Sequence, residues 1–172
     1  MFSNPERNIE QFDIQSGMSV ADFGAGSGFY TIASAKAVGG AGRVFAVEVQ
    51  KELLEKLKAQ TKQLHLGNVE VIWGDIEKMG GTRLKDSSID RVIASNVLFQ
   101  LHDAQSFCNE VKRVLKPGGK VLCIDWSDTS PLGPKSLVTP DSAKALFHTA
   151  GFTYGTSIIA GEHHYGLIFI KQ

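Results

Sequence analysis

Three glycines at alternate positions, Gly24, Gly26 and Gly28, follow an apolar run that begins at Val20. Glycine suits a sharp turn from strand into helix, because it adopts positive φ freely and lets a ligand approach the backbone. An acid, Glu48, lies at the end of the next apolar run. This layout predicts a strand–turn–helix unit that holds a nucleotide-type cofactor.

Apolar runs alternate with segments of helical periodicity along most of the chain. This alternation is typical of a parallel sheet covered by helices on both faces. The last two apolar runs are separated only by "GEHH" and predict an antiparallel hairpin. The predicted strands are 18–23, 42–49, 68–75, 90–96, 120–126, 152–160 and 165–172, and "KPGG" at 116–119 is predicted to stop a helix capped by Asp103.

The bulk composition favours one globular domain, 1–172, with 42% apolar and 21% charged residues. A formal net charge of +0 provides no long-range attraction to a phosphate backbone, so nucleic acid is not an expected partner. Two cysteines, Cys108 and Cys123, are too few for a disulfide framework and are expected to be buried. The sequence shows no leader and no apolar run long enough to span a bilayer, and we expect a cytoplasmic protein.

The glycine spacing bears on which cofactor is bound. A dinucleotide fingerprint has glycine at the sixth position of the loop, where this chain has Phe29. Asp22, just before the loop, would oppose a pyrophosphate at the helix N-terminus and would suit a cation. S-adenosylmethionine combines adenine, ribose and a positive sulfonium without any phosphate. A nicotinamide-dependent oxidoreductase is the less favoured alternative.

Three stretches of the sequence resemble one family. "VADFGAGSGFYTIASAKAV" resembles the glycine-rich first motif of class I S-adenosylmethionine-dependent methyltransferases. "DRVIASNVLFQLHD" and "VKRVLKPGGKVLCIDW" resemble the region from the fourth strand to the fifth in that family. The chain is most similar to the type 11 group, which is related to the methyltransferases of ubiquinone and menaquinone biosynthesis. The resemblance implies a three-layer Rossmann-like sandwich, an α/β fold whose seven-stranded sheet has the order 3-2-1-4-5-7-6 and an antiparallel last strand.

The resemblance also implies which residues bind the cofactor. The glycine loop would hold the methionine and ribose end, and Glu48 would accept hydrogen bonds from the ribose hydroxyls. The residues after the third strand would meet the adenine, and those after the fourth would lie near the transferred methyl. The full set is Asp22, Gly24, Ala25, Gly26, Gly28, Glu48, Val49, Asp75, Ile76, Ser95, Asn96 and Val97.

Methyl transfer from a sulfonium is a direct displacement that leaves S-adenosylhomocysteine. The enzyme mainly supplies proximity and alignment, and a general base is needed only where the nucleophile must lose a proton. The candidate bases are His102 and Asp125, with His163 and His164 in the last hairpin turn as weaker ones. The two adjacent histidines lack further ligands in a closing pattern, so no metal is expected.

The methyl acceptor is predicted only as a small or lipid-like molecule. The short N-terminal segment 1–16 would form a reduced lid, with Phe2, Ile9 and Phe12 closing over the site, and the loop 127–139 would form another wall. Arsenite is disfavoured because neither cysteine is expected near the site. A non-catalytic S-adenosylmethionine-binding module remains the main alternative, and the sequence does not predict an oligomeric state.

Overall fold

The computed structural model describes residues 3–127 and 133–172, which form seven strands and five α-helices. Phe2 and part of the loop 127–139 lie outside the described residues, so the walls predicted from them are not tested. The strands are β1 Ser19–Phe23, β2 Arg43–Glu48, β3 Val69–Trp73, β4 Ile89–Ser95, β5 Leu115–Trp126, β6 Phe152–Ile158 and β7 His164–Lys171. The helices are α1 Pro5–Gln11, α2 Phe29–Val38, α3 Lys51–Gln63, α4 Ala104–Val114 and α5 Pro140–Thr149.

The strands form one sheet with the order β3-β2-β1-β4-β5-β7-β6. Strands β1 to β5 run parallel, and β7 is antiparallel to both β5 and β6. This arrangement confirms the predicted Rossmann-like fold. The carboxyl ends of the five parallel strands therefore meet at one edge of the sheet, where ligands bind in open α/β folds.

Helices cover both faces of the sheet and bury an apolar layer on each. On one face, Phe107 and Phe147 lie on α4 and α5, and the Phe147 ring stacks on Phe169 with their centroids 4.2 Å apart. On the other face, Ile9 and Phe12 pack with the core residues of α2 and β1. The prediction that these two side chains close over the site is wrong, because burial against the sheet removes more of their apolar surface from water.

The start of β5 also differs from the prediction. The helix α4 ends at Val114 and the strand follows at once, so the "KPGG" stretch lies within β5. The β4–β5 register moves from Ile89↔Leu115 to Arg91↔Lys120, which leaves extra residues on β5. These form a bulge, where Pro117 has no N–H to donate and Gly118 takes a positive φ of 73°.

No helix of residues 3–127 and 133–172 is both long enough and apolar enough to cross a lipid bilayer.

Candidate functional site

A cavity of about 820 Å³ opens at the carboxyl edge of the sheet. It is lined by residues at and after the carboxyl ends of β1 to β5 and in the first turns of α2 and α3, together with Ser3, Pro5 at the start of α1 and His164 at the start of β7. The predicted site residues that line it are Asp22, Gly24, Ala25, Gly26, Glu48, Val49, Asp75, Ile76, Ser95, Asn96, Val97 and His102. Of the predicted set, Gly28 and Asp125 lie outside this lining.

The glycine loop after β1 takes left-handed backbone conformations at all three glycines. A Cβ at Gly24 would lie 2.9 Å from a methyl carbon of Val97, whereas a Cβ at Gly26 would meet no protein atom closer than 3.9 Å. At Gly28 a Cβ would approach a methyl carbon of Leu57 to 2.2 Å. Gly28 therefore permits the packing of α2 against α3, and Gly26 leaves its space open to the cavity.

Glu48 holds the backbone of two neighbouring loops, the one after β1 and the one after β2. Its Oε2 accepts from the amide of Gly26 at 3.0 Å, and its Oε1 accepts from the amides of Val49 at 2.8 Å and Gln50 at 2.9 Å. The side chain is nearly buried at the tip of β2. A carboxylate accepts about four hydrogen bonds, so this one retains capacity for a ligand hydroxyl.

Asp22 is a buried acid in the cavity lining. Its Oδ2 accepts from the hydroxyl of Thr31 at 2.6 Å, and the residue is 2% exposed. Burial raises the pKa of Asp22 to about 6, and the nearby charge of Glu48 adds to the rise. Above that pH the site contains a buried negative charge, which favours a cationic ligand group.

The loop after β3 forms another wall of the cavity. Asp75 Oδ1 accepts from the amide of Glu77 at 2.9 Å, and Asp75 also forms an exposed ion pair with Lys78. Farther along, the buried Glu110 accepts from the amides of Gly80 at 2.8 Å and Thr82 at 3.2 Å. The carboxylate of Glu110, which the sequence analysis did not single out, therefore fixes the backbone of this loop.

At the tip of β4, the chain turns at Asn96, whose φ is 57°. The Asn96 amide donates to the carbonyl of Ile124 at 2.8 Å, and Asn96 Oδ1 lies 3.1 Å from Nε2 of His164. The His164 ring packs against the Trp126 ring, with centroids 4.5 Å apart and the ring planes tilted by 36°. Burial is the main reason that the pKa of His164 is lowered. His164 lines the cavity and its neighbour His163 does not.

The two predicted bases occupy different places. Asp125 is 1% exposed, and its carboxylate accepts from the backbone amides of Leu98 at 2.9 Å and Trp126 at 2.8 Å. Burial raises the pKa of Asp125 to about 6. The side chain lies outside the cavity lining and holds the backbone of two residues that line or adjoin it. His102 is exposed at the rim, and its backbone amide donates to Glu77 at 2.6 Å.

Tyr30 connects the N-terminal segment to the cavity. Its hydroxyl accepts from Nδ2 of Asn8 at 2.8 Å and lies 2.8 Å from Oγ of Ser3. The same Asn8 nitrogen is 3.3 Å from the carbonyl oxygen of Ala160. Sequence reasoning missed Ser3 and Asn8, because nothing local to α1 signals contacts with α2 and the terminal hairpin.

The cavity fits S-adenosylmethionine on observations of this chain. The space beside Gly26 is one that a Cβ would fill, and the buried Asp22 suits a cationic group. The carboxylate of Glu48 retains hydrogen-bonding capacity at the tip of β2. Together with the sheet order, these features define a class I S-adenosylmethionine-dependent methyltransferase.

The chain belongs to the methyltransferase domain family, whose model matches residues 14–154. It is 30% identical over 132 residues to the demethylmenaquinone methyltransferase of Geobacillus sp. (strain WCH70), a match that covers 77% of this chain and 55% of that protein. It is 32% identical over 149 residues to the arsenite methyltransferase of Halobacterium salinarum, covering 79% and 37%. The chain thus spans about half the length, or less, of these curated relatives.

A solved structure is similar over almost the whole chain. The S-adenosylmethionine-dependent methyltransferase of Aquifex aeolicus is 28% identical, with a TM-score of 0.90, and the match covers 99% of this chain and 91% of that one. The predicted family, with S-adenosylmethionine as its methyl donor, is confirmed by these comparisons.

Proposed function

We propose that this protein transfers the methyl group of S-adenosylmethionine to a small or lipid-like acceptor by in-line displacement. The observation that carries the proposal is the extent of the cavity. It continues past the tips of β1, β2 and β3 to a second half lined by Asn96, Trp126 and His164. A module that only bound the cofactor would not need this second half.

In the first half, the chain would hold the cofactor at four places. Glu48 would accept from the ribose hydroxyls, while Val49, Asp75 and Ile76 would surround the adenine. Gly24, Ala25 and Gly26 would admit the methionine portion, and the ionised Asp22 would favour the sulfonium end. Ser95, Asn96 and Val97 would border the methyl group.

The cofactor, when bound, supplies an already activated methyl carbon. The chain's own contribution is then to align the acceptor and exclude water, and such alignment can lower a barrier by roughly 7–11 kcal/mol. His102 is the proposed proton acceptor for a nucleophile that carries a proton, since it lines the exposed rim of the cavity. Asp125 is proposed only to support the adjacent backbone.

The burial of both cysteines supports an acceptor that is methylated on carbon or oxygen rather than on the arsenic of arsenite. The chain has two cysteines, Cys108 and Cys123, which are both buried and unbridged and lie outside the cavity lining. Burial raises the pKa of Cys108 to about 12, so its thiolate is scarce at neutral pH. We also propose a cytoplasmic location, because unbridged thiols are typical of reducing compartments. We further propose that residues 1–172 form a single domain.

The test begins with calorimetric titration of S-adenosylmethionine, S-adenosylhomocysteine and NAD. Binding of the two adenosyl sulfur compounds without NAD is the expected result, and binding of NAD alone would overturn the cofactor assignment. A methyl-transfer screen with demethylmenaquinol and arsenite, using S-adenosylmethionine labelled in its methyl group, follows. Labelled product from demethylmenaquinol is expected, whereas tight cofactor binding without product from any acceptor would favour the non-catalytic binding module.

A further inference from the structure

The second half of the cavity has a wall built from three strands. The sheet order places Glu48 on β2 and Asp75 after β3 on one side of β1, and it places β4, β5 and β7 on the other. The tips of these last three strands contribute Asn96, Trp126 and His164, which we call the acceptor-side wall. This wall lies beyond the half of the cavity assigned to adenosine.

His164 is held in one orientation. The residue is 8% exposed, its ring packs against Trp126, and its Nε2 is 3.1 Å from Oδ1 of Asn96. Its other ring nitrogen, Nδ1, is buried and has no hydrogen-bond partner among residues 3–127 and 133–172. Backbone pairing of His164 with Trp126 across β5 and β7 fixes the position of the ring further.

The burial of Nδ1 favours one tautomer of His164. A proton on Nδ1 would be a buried donor without an acceptor among the described residues, which is costly, so the ring hydrogen belongs on Nε2. The carboxamide oxygen of Asn96, which can only accept, is the matching partner for a donor at Nε2. The imidazole is therefore neutral, with its hydrogen on Nε2 and a lone pair on Nδ1.

The same hydrogen bond orients the Asn96 side chain. Because Oδ1 faces His164, the amide nitrogen with its two N–H donors points away from the imidazole. This nitrogen makes no hydrogen bond with any residue in the described parts of the chain. The Asn96 backbone is fixed as well, since its amide donates to Ile124 and its carbonyl accepts from Gln100 at 2.7 Å.

We propose that His164 is a positioning residue that holds the Asn96 amide so that its N–H donors bind an oxygen of the methyl acceptor. The inference rests on the proposed function and narrows its substrate class. The acceptor then carries a carbonyl, phenolic or similar oxygen that accepts a hydrogen bond at the tip of β4. In this role His164 acts on the acceptor through Asn96.

The experiment uses three variants. His164→Phe keeps a flat ring against Trp126 but removes the donor, and His164→Gln keeps an N–H donor of similar reach. His163→Phe is the matched control, because His163 is adjacent and lies outside the cavity lining. Nitrogen-15 NMR at pH 7.5 reports the tautomer of His164 and the side-chain amide of Asn96.

The ligand probes are 1-naphthol and naphthalene, added to protein saturated with S-adenosylhomocysteine. In the wild-type protein we expect the Nε2–H tautomer, and a shift of the Asn96 amide signals with 1-naphthol but not with naphthalene. His164→Phe should weaken 1-naphthol binding roughly three- to tenfold, as the loss of one hydrogen bond implies. His164→Gln should restore most of it, and His163→Phe should bind like the wild type.

Each contrary outcome has a distinct meaning. The positioning role is overturned if the His164 imidazole is charged or carries its hydrogen on Nδ1. It is also overturned if the Asn96 amide signals do not shift when 1-naphthol is added. If His164→Phe weakens S-adenosylhomocysteine binding while 5′-methylthioadenosine binds as before, Asn96 serves the amino-acid end of the cofactor and the acceptor assignment is wrong. A wild-type protein that does not bind S-adenosylhomocysteine overturns the proposed function instead, and the NMR tautomer then still tests the His164–Asn96 contact separately.

Discussion

The two halves of the cavity are built in different ways. The cofactor half consists of short segments directly after β1, β2 and β3, and Glu48 connects two of these segments through three backbone amides. The acceptor half joins residues that are far apart in the chain, such as Asn96 with His164. A cofactor common to a family can be held by local turns, whereas a particular acceptor needs a wall assembled from several elements.

The halves also differ in what holds them. A charged carboxylate and backbone amides fix the cofactor half, and charge-assisted hydrogen bonds are the stronger kind. In the acceptor half, the contacts among Asn96, Trp126 and His164 are between neutral groups. Four substitutions sharpen this contrast, and they are ordered by their expected effect on cofactor binding.

The largest effect is expected for Gly26→Val. The new side chain would meet no protein atom closer than 3.9 Å from its Cβ, so it would occupy the space proposed for the cofactor. Calorimetry should detect no binding of S-adenosylhomocysteine. Gly118→Val is the matched control, because Gly118 also has a positive φ with open space around it but lies at the β5 bulge. If both variants bind the cofactor equally well, the loop is misassigned.

Glu48→Ala should weaken the binding of S-adenosylhomocysteine next most strongly. Hydrogen bonds to a charged group contribute about 1.5–3 kcal/mol, which corresponds to roughly a 10- to 150-fold rise in Kd. Removal of the acceptor for the Gly26 amide would add to the loss. The control is Glu70→Ala on the exposed part of β3, which should bind normally. An unchanged Kd in Glu48→Ala would remove this residue from the site.

Asp22 should make cofactor preference depend on pH. Its pKa is raised to about 6 by burial, so ionisation above pH 6 should favour the cationic S-adenosylmethionine over neutral S-adenosylhomocysteine by about fivefold. Titrations at pH 5 and pH 7.5 measure this ratio, which Asp22→Asn should make independent of pH.

The raised pKa of Asp22 also affects the stability of the folded chain, which is higher when Asp22 is protonated. Between about pH 4 and pH 6 the folded chain keeps a proton that the unfolded chain has lost, so the Asp22 contribution to stability falls as pH rises through this window. Thermal unfolding of Asp22→Asn should lack this fall. Asp125→Asn separates the similar contribution of Asp125, whose pKa is also raised to about 6. If the affinity ratio of S-adenosylmethionine to S-adenosylhomocysteine still depends on pH in Asp22→Asn, a group other than Asp22 causes that dependence.

His102→Ala should have the smallest effect on cofactor binding, because His102 lies at the exposed rim of the cavity and, among the described residues, only its backbone amide bonds a neighbouring residue, Glu77. Turnover of an acceptor that must lose a proton should nevertheless fall by roughly 100-fold or more, as expected for the loss of a general base. Paired measurements of Kd and kcat test both statements. Equal turnover would show that His102 is not the base.

Much of this architecture was predictable from the sequence. The strand pattern, the Asp103 cap and the terminal hairpin follow from local periodicity and from polar groups at element ends, which depend on neighbouring residues. The helix does end just before "KPGG", but the start of β5 was misjudged because a bulge depends on the register of β4 against β5. Ile9 was misassigned to a lid because its amphipathic helix does not reveal which surface it covers.

The sequence by itself determined the class of this protein. The glycine turn, the acid at the tip of β2 and the strand–helix alternation indicate a nucleotide-type cofactor on a parallel sheet, and the resemblance of three stretches to one family narrows this to a methyltransferase. Only the tertiary structure decided the role of Gly28 beside Leu57, the support given by Asp125 and the joining of Asn96 to His164. The physical reason is sequence separation. Contacts between distant segments depend on how strands are ordered and registered in the sheet, and no short stretch of sequence encodes that order on its own.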